Sequence, residues 1–193
     1  MQKSDHEIVT EVLGGRNGSF SIIIDRYKDK GMTLAFRILN NREDAEEALQ
    51  DAFLRCYKAL AQFEWKSSFS TWFYRILYNV CLSKRRGKKE EFLKDFEEIS
   101  EMEIINHNNY PDADSTLESE DMKKVMQSEM EKLDPVYSSI LTLFYVQELS
   151  YNEIIDVTGL PIGTIKNRLF RARALLKNSV LKHYQELTVN EEN

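Results

Sequence analysis

The sequence predicts an all-α protein with two helical domains joined by an acidic flexible linker, the second domain containing a helix-turn-helix. Apolar residues recur at three- and four-residue steps along most of the chain, which is the period of an α-helix. Only 7 Gly and 3 Pro occur among 193 residues, too few turn residues for a many-stranded sandwich or barrel. Acidic residues are concentrated in one stretch that also contains Asn106, Asn108, Asn109 and Pro111. That composition is typical of a linker.

The helical period covers eight segments, and no alternating strand pattern or long internal repeat separates them. The segments are 5–13, 18–38, 42–62, 70–86, 118–132, 135–147, 151–158 and 162–185. The predicted parts of the chain are a first domain over 1–88, a linker over 89–121, a second domain over 122–186 and a tail over 187–193.

The net charge of −6 argues at first against a nucleic-acid partner, but the charge is unevenly distributed. Residues 1–87 carry a net charge of +3, residues 88–121 carry −9, and residues 122–193 are neutral overall. The acidity therefore belongs to the linker. The two flanking domains are weakly positive and neutral, so their charge does not exclude binding to nucleic acid.

Several classes of protein are excluded by composition and spacing. No apolar run approaches the roughly 20 residues of a membrane helix, and the amino terminus lacks the apolar core of a secretory signal, so we expect a cytoplasmic protein. Cys56 and Cys81 lie among apolar residues and are expected to be buried free thiols. His6, His107 and His183 pair with no carboxylate at ligand spacing. We therefore expect no catalytic histidine, no metal and no cofactor.

The segment Glu43–Phe63 has two distinct faces when it is placed on a helix. Its apolar residues share one face, and the opposite face holds Glu47, Gln50, Asp51 and Leu54. A leucine ringed by polar residues is typical of a surface that docks another helix. A single exposed leucine is also common without any function. The pattern leaves both interpretations open.

The next segment combines aromatic, polar and basic residues. A loop with Trp65, Lys66, Ser67 and Ser68 precedes a helix whose outward side is predicted to include Thr71, Arg75, Tyr78, Asn79 and Arg86, with Trp72 at its flank. Five basic residues, including Arg85 and Arg86, occupy the six positions 84–89. Such residues can hold single-stranded nucleic acid by stacking, hydrogen bonding and phosphate contact. The alternative is that the tryptophans belong to the core and that the basic run stabilises a helix end.

A helix-turn-helix is predicted over residues 150–178. Ser150 and Glu153 have the spacing of a capping box, Gly159 ends the first helix, and Pro161 suits the first turn of the second. The second helix has five basic and no acidic residues over 161–178. Its outward face and flanks provide groups for base edges and phosphates, with the candidate DNA-binding residues Thr164, Lys166, Asn167, Phe170, Arg171 and Arg173 and with Arg168 and Lys177 as further flanking cations.

Taken in order, three stretches resemble bacterial sigma-70 family RNA polymerase sigma factors of the extracytoplasmic-function (ECF) type. They are DAEEALQDAFLRCYKAL (Asp44–Leu60), SSFSTWFYRILYNV (Ser67–Val80) and ELSYNEIIDVTGLPIGTIKNRLFRARALL (Glu148–Leu176). With the amino-terminal helices and the linker, the resemblance covers roughly residues 5–185. It implies a subunit of transcription initiation that binds core RNA polymerase, recognises promoter −35 and −10 elements and promotes DNA melting.

The resemblance also assigns roles to the candidate residues. Glu47, Gln50, Asp51 and Leu54 match the surface that docks on the clamp helices of the polymerase β′ subunit. The loop and helix over 63–79, followed by Arg85 and Arg86, match the element that melts the −10 region. There a base leaves the stack and enters a pocket around Trp65–Ser68, with Trp72 and Asn79 close to the melted step.

The resemblance also extends to the linker and to the second helix of the helix-turn-helix. That helix matches the reader of the −35 element. The second domain is further implied to contact the flap of the β subunit. The acidic linker matches a segment that passes through the basic channels of the polymerase as a nucleic-acid mimic.

The family implies an anti-sigma factor, membrane-linked, as a further partner, and no small-molecule substrate. Residues Leu133–Ser138 lack an arginine common near that point in relatives. The alternative function is a stand-alone helix-turn-helix regulator with an amino-terminal dimerisation or sensing domain. That alternative leaves Trp65, Trp72 and the basic run without a purpose. A helical carboxylate metalloenzyme is a third class, but the sequence has no Glu-x-x-His pair to supply its ligands.

Overall fold

The computed structural model describes residues 3–88 and 120–191, and this part of the chain forms eight α-helices and no strand. The helices are α1 (Asp5–Leu13), α2 (Phe20–Leu39), α3 (Arg42–Ala59), α4 (Phe69–Lys88), α5 (Glu120–Lys132), α6 (Pro135–Leu141), α7 (Tyr151–Thr158) and α8 (Ile162–Glu191). The all-α prediction is confirmed, and each predicted helical segment overlaps one of these helices, although α2, α4 and α8 extend beyond the predicted bounds. The predicted linker over 89–121 lies outside the described residues except at its last two positions.

Helix starts fall where capping residues occur in the sequence. The predicted capping box of α7 is present, with the Ser150 backbone N–H donating to Glu153 Oε2 at 3.0 Å and the Glu153 N–H donating to Ser150 Oγ at 3.3 Å. A second capping box, Ser4 with Glu7, begins α1. Each box satisfies backbone donors that the first helical turn leaves unpaired. Local sequence therefore fixes where both short helices start.

The predicted helix-turn-helix is also present. Gly159 ends α7 in the left-handed region at φ 72°, where glycine has no steric penalty. Pro161 lies just before α8, and its carbonyl oxygen accepts from the Ile165 N–H at 3.1 Å. The turn predicted from the glycine and the proline therefore lies between the short helix α7 and the long helix α8.

Helices α2, α3 and α4 form the core of the first helical unit. Gly31 on α2 allows their close approach, because an added Cβ would lie 2.8 Å from Leu49 Cδ1 on α3. The Phe53 and Phe73 rings stack across α3 and α4 with centroids 4.7 Å apart. Close packing of this kind leaves no room for larger side chains.

The two cysteines lie inside the first unit, as predicted. Cys56 and Cys81 are both buried and free. Burial in apolar surroundings raises the pKa of each thiol to about 12. Both thiols are therefore protonated at neutral pH and behave as small apolar side chains.

The segment predicted as one helix over 135–147 contains a change of helix type. Helix α6 ends at Leu141, and a π-helical turn follows over Thr142–Val146. The Gln147 N–H closes this turn by donating to the Thr142 carbonyl oxygen at 2.9 Å. Such a turn adds a residue to the helical repeat, and Gln147 Nε2 then donates to the Lys30 carbonyl oxygen of α2 at 2.8 Å.

The second helical unit packs directly against the first, and one hydrophobic cluster contains buried residues of both. Helices α6 and α7 contact α2 and α4, respectively. Arg37 of α2 is 6% exposed, its guanidinium lies 3.3 Å from Glu131 Oε1, and its carbonyl oxygen accepts from Ser138 Oγ at 3.3 Å. The charge of Arg37 is thus paired at the boundary between the two units.

Candidate nucleic-acid and protein interfaces

The outward face of α3 presents an apolar side chain within a polar ring. Leu54 is 60% exposed, with Glu47, Gln50 and Asp51 beside it on the same helix face. Glu47 forms an ion pair with Lys84 of α4, and Asp51 forms one with Arg55 at 2.9 Å. The structure therefore brings the four predicted residues together on one surface, which we call the α3 face.

Tyr57 extends the α3 face and is not singled out by the sequence pattern. Its side chain is 39% exposed and its ring lies edge-on to Phe20 of α2, with centroids 5.1 Å apart. It follows Leu54 by three residues, so the two side chains are neighbours on the helix surface. The signal that identifies it is this spacing from an exposed leucine.

The loop before α4 is built on stacked aromatic rings. Phe63 stacks on Trp72 at 4.6 Å, and Trp65 packs on Phe63 at 4.6 Å. Trp65 is 38% exposed and has a φ of 56°, a left-handed backbone that bulky residues rarely adopt. Trp72 is half-buried, so Trp65 is the more accessible indole.

Hydroxyl and charged groups surround these rings. Ser68 Oγ accepts the Thr71 N–H at 3.2 Å at the start of α4, and Ser67 lies beside it. Lys66 is exposed and pairs with Glu64. The loop thus combines a ring surface with hydrogen-bonding groups, which are the parts needed to hold an unstacked base.

The prediction that Thr71 and Tyr78 face outward is wrong in this arrangement. Thr71 is 1% exposed and Tyr78 is 2% exposed, because α7 of the second unit packs on this side of α4. Burial raises the pKa of the Tyr78 hydroxyl to about 12. Arg75 and Asn79 remain exposed and line a cavity of about 240 Å³ against the end of α7.

Two residues of the basic run at the end of α4 contact neighbouring helices of the first unit. Arg85 Nη1 donates to the Ile38 carbonyl oxygen at the end of α2 at 2.7 Å, while Arg86 is exposed. Lys84 pairs with Glu47 of the α3 face. Arg85 therefore contributes to packing of α4 on α2, and Arg86 is the more accessible of the two predicted arginines.

Helix α8 presents an aromatic side chain among polar and basic ones. Phe170 is 49% exposed and Lys166 is exposed, while Thr164, Asn167 and Arg171 are half-buried. The structure thus groups most of the predicted residues along one accessible side of the helix. Charged and amide groups around an exposed ring suit base edges and phosphates.

Two arginines of α8 that were predicted to flank its outward face contact other parts of the molecule. The Arg173 guanidinium carbon lies 5.5 Å from both the Phe144 and the Tyr145 ring centroids, which orients its charge by cation–π contact. Arg168 is 1% exposed, so the prediction that it flanks the outward face is wrong. It is buried because the helices of the two units enclose it, near Tyr78 and Tyr137.

One carboxylate connects the loop before α4 to the helix-turn-helix. Glu153 Oε1 accepts from Thr71 Oγ1 at 2.9 Å and from Ser68 Oγ at 3.4 Å. Burial raises the pKa of Glu153, but the hydrogen bonds from Ser150, Thr71 and Ser68 outweigh it, and the net pKa lies below the ordinary value. The carboxylate of Glu153 thus caps α7 and also joins the two units through its hydrogen bond from Thr71.

Other kinds of site have little support in the described part of the chain. Within residues 3–88 and 120–191 there is no cluster of His, Cys, Asp and Glu suited to a metal ion. Among the described helices, none is long and apolar enough to cross a membrane.

Comparison with known proteins assigns both helical units to the same family. The Sigma-70 region 2 model matches residues 23–91, and the Sigma-70 region 4 model matches residues 123–176. The chain is 32% identical over 177 residues to the ECF RNA polymerase sigma factor SigW of Bacillus subtilis, covering 89% of this chain and 94% of SigW. It is 28% identical over 190 residues to the ECF RNA polymerase sigma-E factor of Escherichia coli K12, covering 93% and 95%.

Two solved structures have the same fold. CnrH, solved in complex with the cytosolic domain of CnrY, has a TM-score of 0.61 at 20% identity, covering 91% of this chain and 96% of CnrH. The sigma factor RpoE of Bartonella quintana, solved with the anti-sigma factor NepR, has a TM-score of 0.58 at 23% identity, covering 84% and 96%.

The helix-turn-helix, the helical first unit and these relatives define a sigma factor of the sigma-70 family, and the chain belongs to its ECF group. Its function is that of a sigma factor in transcription initiation.

Proposed function

We propose that this chain binds core RNA polymerase through the α3 face, melts promoter −10 DNA with the loop and outer side of α4, and reads the −35 element with α8. The observation that carries the proposal is the ring-lined loop with an exposed Trp65. A stand-alone helix-turn-helix regulator has no use for such a loop. A subunit that must hold an unpaired base requires one, since removing a base from the stack costs a few kcal/mol.

Contact with the polymerase is proposed for the α3 face because of its composition. Leu54 and Tyr57 offer exposed apolar area at its centre, and Glu47, Gln50 and Asp51 form a polar rim. A central apolar anchor within a polar rim is the usual arrangement of a binding hot spot. The occupant we propose is the pair of clamp helices of the β′ subunit.

Melting of the −10 region is proposed for the loop before α4. Stacking on an aromatic ring is worth about 1–3 kcal/mol per base, enough to offset much of the cost of extrusion. Trp65 supplies the accessible ring, and Lys66, Ser67 and Ser68 supply charge and hydroxyl groups. Trp72, Arg75, Asn79 and Arg86 continue this surface along α4.

Reading of the −35 element is proposed for α8. Asn167 and Arg171 carry groups that can form paired hydrogen bonds with adenine and guanine edges, and Phe170 can pack on a thymine methyl group. Thr164, Lys166 and Arg173 suit phosphates. The flap of the β subunit is the proposed polymerase contact of this second unit.

The packing of the two units against each other, which we call the closed arrangement, implies a step before promoter binding. Helix α7 covers Thr71 and Tyr78 and is hydrogen-bonded through Glu153. We propose that the two units separate on polymerase, which uncovers α4. The linker, proposed to run through the basic channels of the polymerase as a nucleic-acid mimic, allows that separation.

We propose further that an anti-sigma factor, membrane-linked, controls the chain by covering its polymerase-binding surfaces. Support comes from a structural neighbour that was solved with an anti-sigma factor. Because its polymerase and DNA partners are cytoplasmic, we propose that the chain acts in the cytoplasm. The polymerase, and not this chain, performs the chemistry of transcription.

The proposal is tested by footprinting a promoter with core polymerase and this chain. We expect protection of the −35 element and permanganate-reactive thymines in the −10 region, both dependent on the chain. Protection of duplex DNA by the chain alone, without reactive thymines when polymerase is added, would favour the stand-alone regulator.

A further inference from the structure

We propose that His6 is a positioning residue for promoter melting: it holds the Trp65 indole where an extruded base stacks. The His6 ring lies against Trp65 with centroids 4.7 Å apart and planes tilted by 41°. No role for His6 follows from the sequence pattern or from the two family models, the first of which begins at residue 23. The inference rests on the proposed function of the loop.

Successive ring contacts connect α1 to α4 through the loop. His6 packs on Trp65, Trp65 packs on Phe63 at 4.6 Å, and Phe63 stacks on Trp72 at 4.6 Å. Trp65 therefore lies between a ring of α1 and a ring of its own loop. With 38% of its surface exposed, it retains an accessible part for a base.

Trp65 needs such support because of its backbone. Its φ of 56° lies in the left-handed region, where a bulky side chain persists only if its surroundings hold it. Phe63, which is itself stacked on Trp72 of α4, supports one side of the indole. His6 belongs to a different element and can fix the indole relative to the rest of the molecule.

Helix α1 is itself anchored on α2, so the backbone of His6 is held in place beside the loop. The neighbouring Asp5 forms an ion pair with Arg26 of α2 and accepts from the Tyr27 hydroxyl at 2.5 Å. Tyr27 in turn packs on Phe69 at 5.5 Å at the start of α4. The same network thus fixes both α1 and the helix that follows the loop.

The test uses holoenzyme assembled from core polymerase and the full chain. A promoter fragment carries 2-aminopurine in the −10 region, whose fluorescence rises when the base unstacks. Relative to wild type, we expect His6→Ala to slow the fluorescence rise about two- to tenfold, the range expected for loss of one aromatic pair. His6→Phe should restore the rate because it keeps a ring at this position.

Two further variants separate positioning from general structure. Thr10→Ala changes the next turn of α1, where the Thr10 hydroxyl donates to the His6 carbonyl oxygen at 2.8 Å, and should melt DNA at the wild-type rate. In a Trp65→Ala background, His6→Ala should produce no additional slowing, because its effect acts through the indole.

The outcomes distinguish this inference from the proposed function. A wild-type rate for His6→Ala together with a slow Trp65→Ala overturns the role of His6 and leaves the loop's function intact. Full additivity of the two substitutions also overturns it, since His6 would then act independently of Trp65. A wild-type rate for Trp65→Ala overturns the proposed melting loop and the role of His6 with it.

Discussion

Replacing Leu54 perturbs the proposed polymerase contact without disturbing the core. Full burial of a leucine side chain is worth about 1.5–3 kcal/mol. Because 60% of Leu54 is still exposed, roughly 1–2 kcal/mol of that remains available for docking. Leu54→Ala should therefore weaken the binding of core polymerase about five- to thirtyfold. Leu54→Glu should weaken it further, since a charge would be buried against the partner.

The assay is fluorescence anisotropy of labelled protein titrated with core polymerase, with thermal unfolding measured in parallel. Leu54 variants should change the free energy of unfolding by about 0.5 kcal/mol or less, as exposed sites generally do. Leu13→Glu is the matched control, because Leu13 is 54% exposed but lies on α1, and it should bind normally. Leu49→Ala, at a buried site of α3, should instead destabilise the fold by about 2–5 kcal/mol.

Unchanged affinity of Leu54→Glu for core polymerase would refute the reasoning about the α3 face. Equal weakening by Leu13→Glu would also refute it, since the effect would then reflect added negative charge anywhere on the first unit.

The remaining predictions concern DNA reading, domain separation and the thiols. Arg171→Ala should weaken binding to the −35 element by about 1–3 kcal/mol and relax base preference in competition assays. An equal loss of affinity for scrambled DNA would show that Arg171 contacts phosphate and not a base. Thr71→Val removes the hydroxyl that donates to Glu153, so small-angle scattering should give a larger radius of gyration, and an unchanged radius would show that this bond does not hold the units together. Cys56 and Cys81 should react with a disulfide reagent only after denaturation, because burial raises both pKa values to about 12; rapid reaction of the native protein would contradict this burial.

Much of the fold and several faces could be predicted because they depend on local sequence. The helical period places Leu54 opposite the core stripe of α3, and the capping box with Gly159 defines the helix-turn-helix. These features need only the residues within a few turns of each other. The same reasoning finds the exposed Phe170 on α8.

Other features depend on contacts between distant parts of the chain. Periodicity places Tyr78 outside the core of the first unit, but α7 then covers it and leaves it 2% exposed. Arg168 is enclosed in the same way. The contact of His6 with Trp65 joins residues far apart in sequence, and no local pattern reveals that α1 supports the loop.

Transcription from the host's own genomic DNA tests the central claim most directly. Fragmented DNA is transcribed by purified core polymerase with and without this chain, and the 5′ ends of the RNA are mapped. The account predicts new start sites that require the chain and share −35 and −10 elements at constant spacing. An identical set of 5′ ends in both reactions, despite stable binding of the chain to the polymerase, would contradict it.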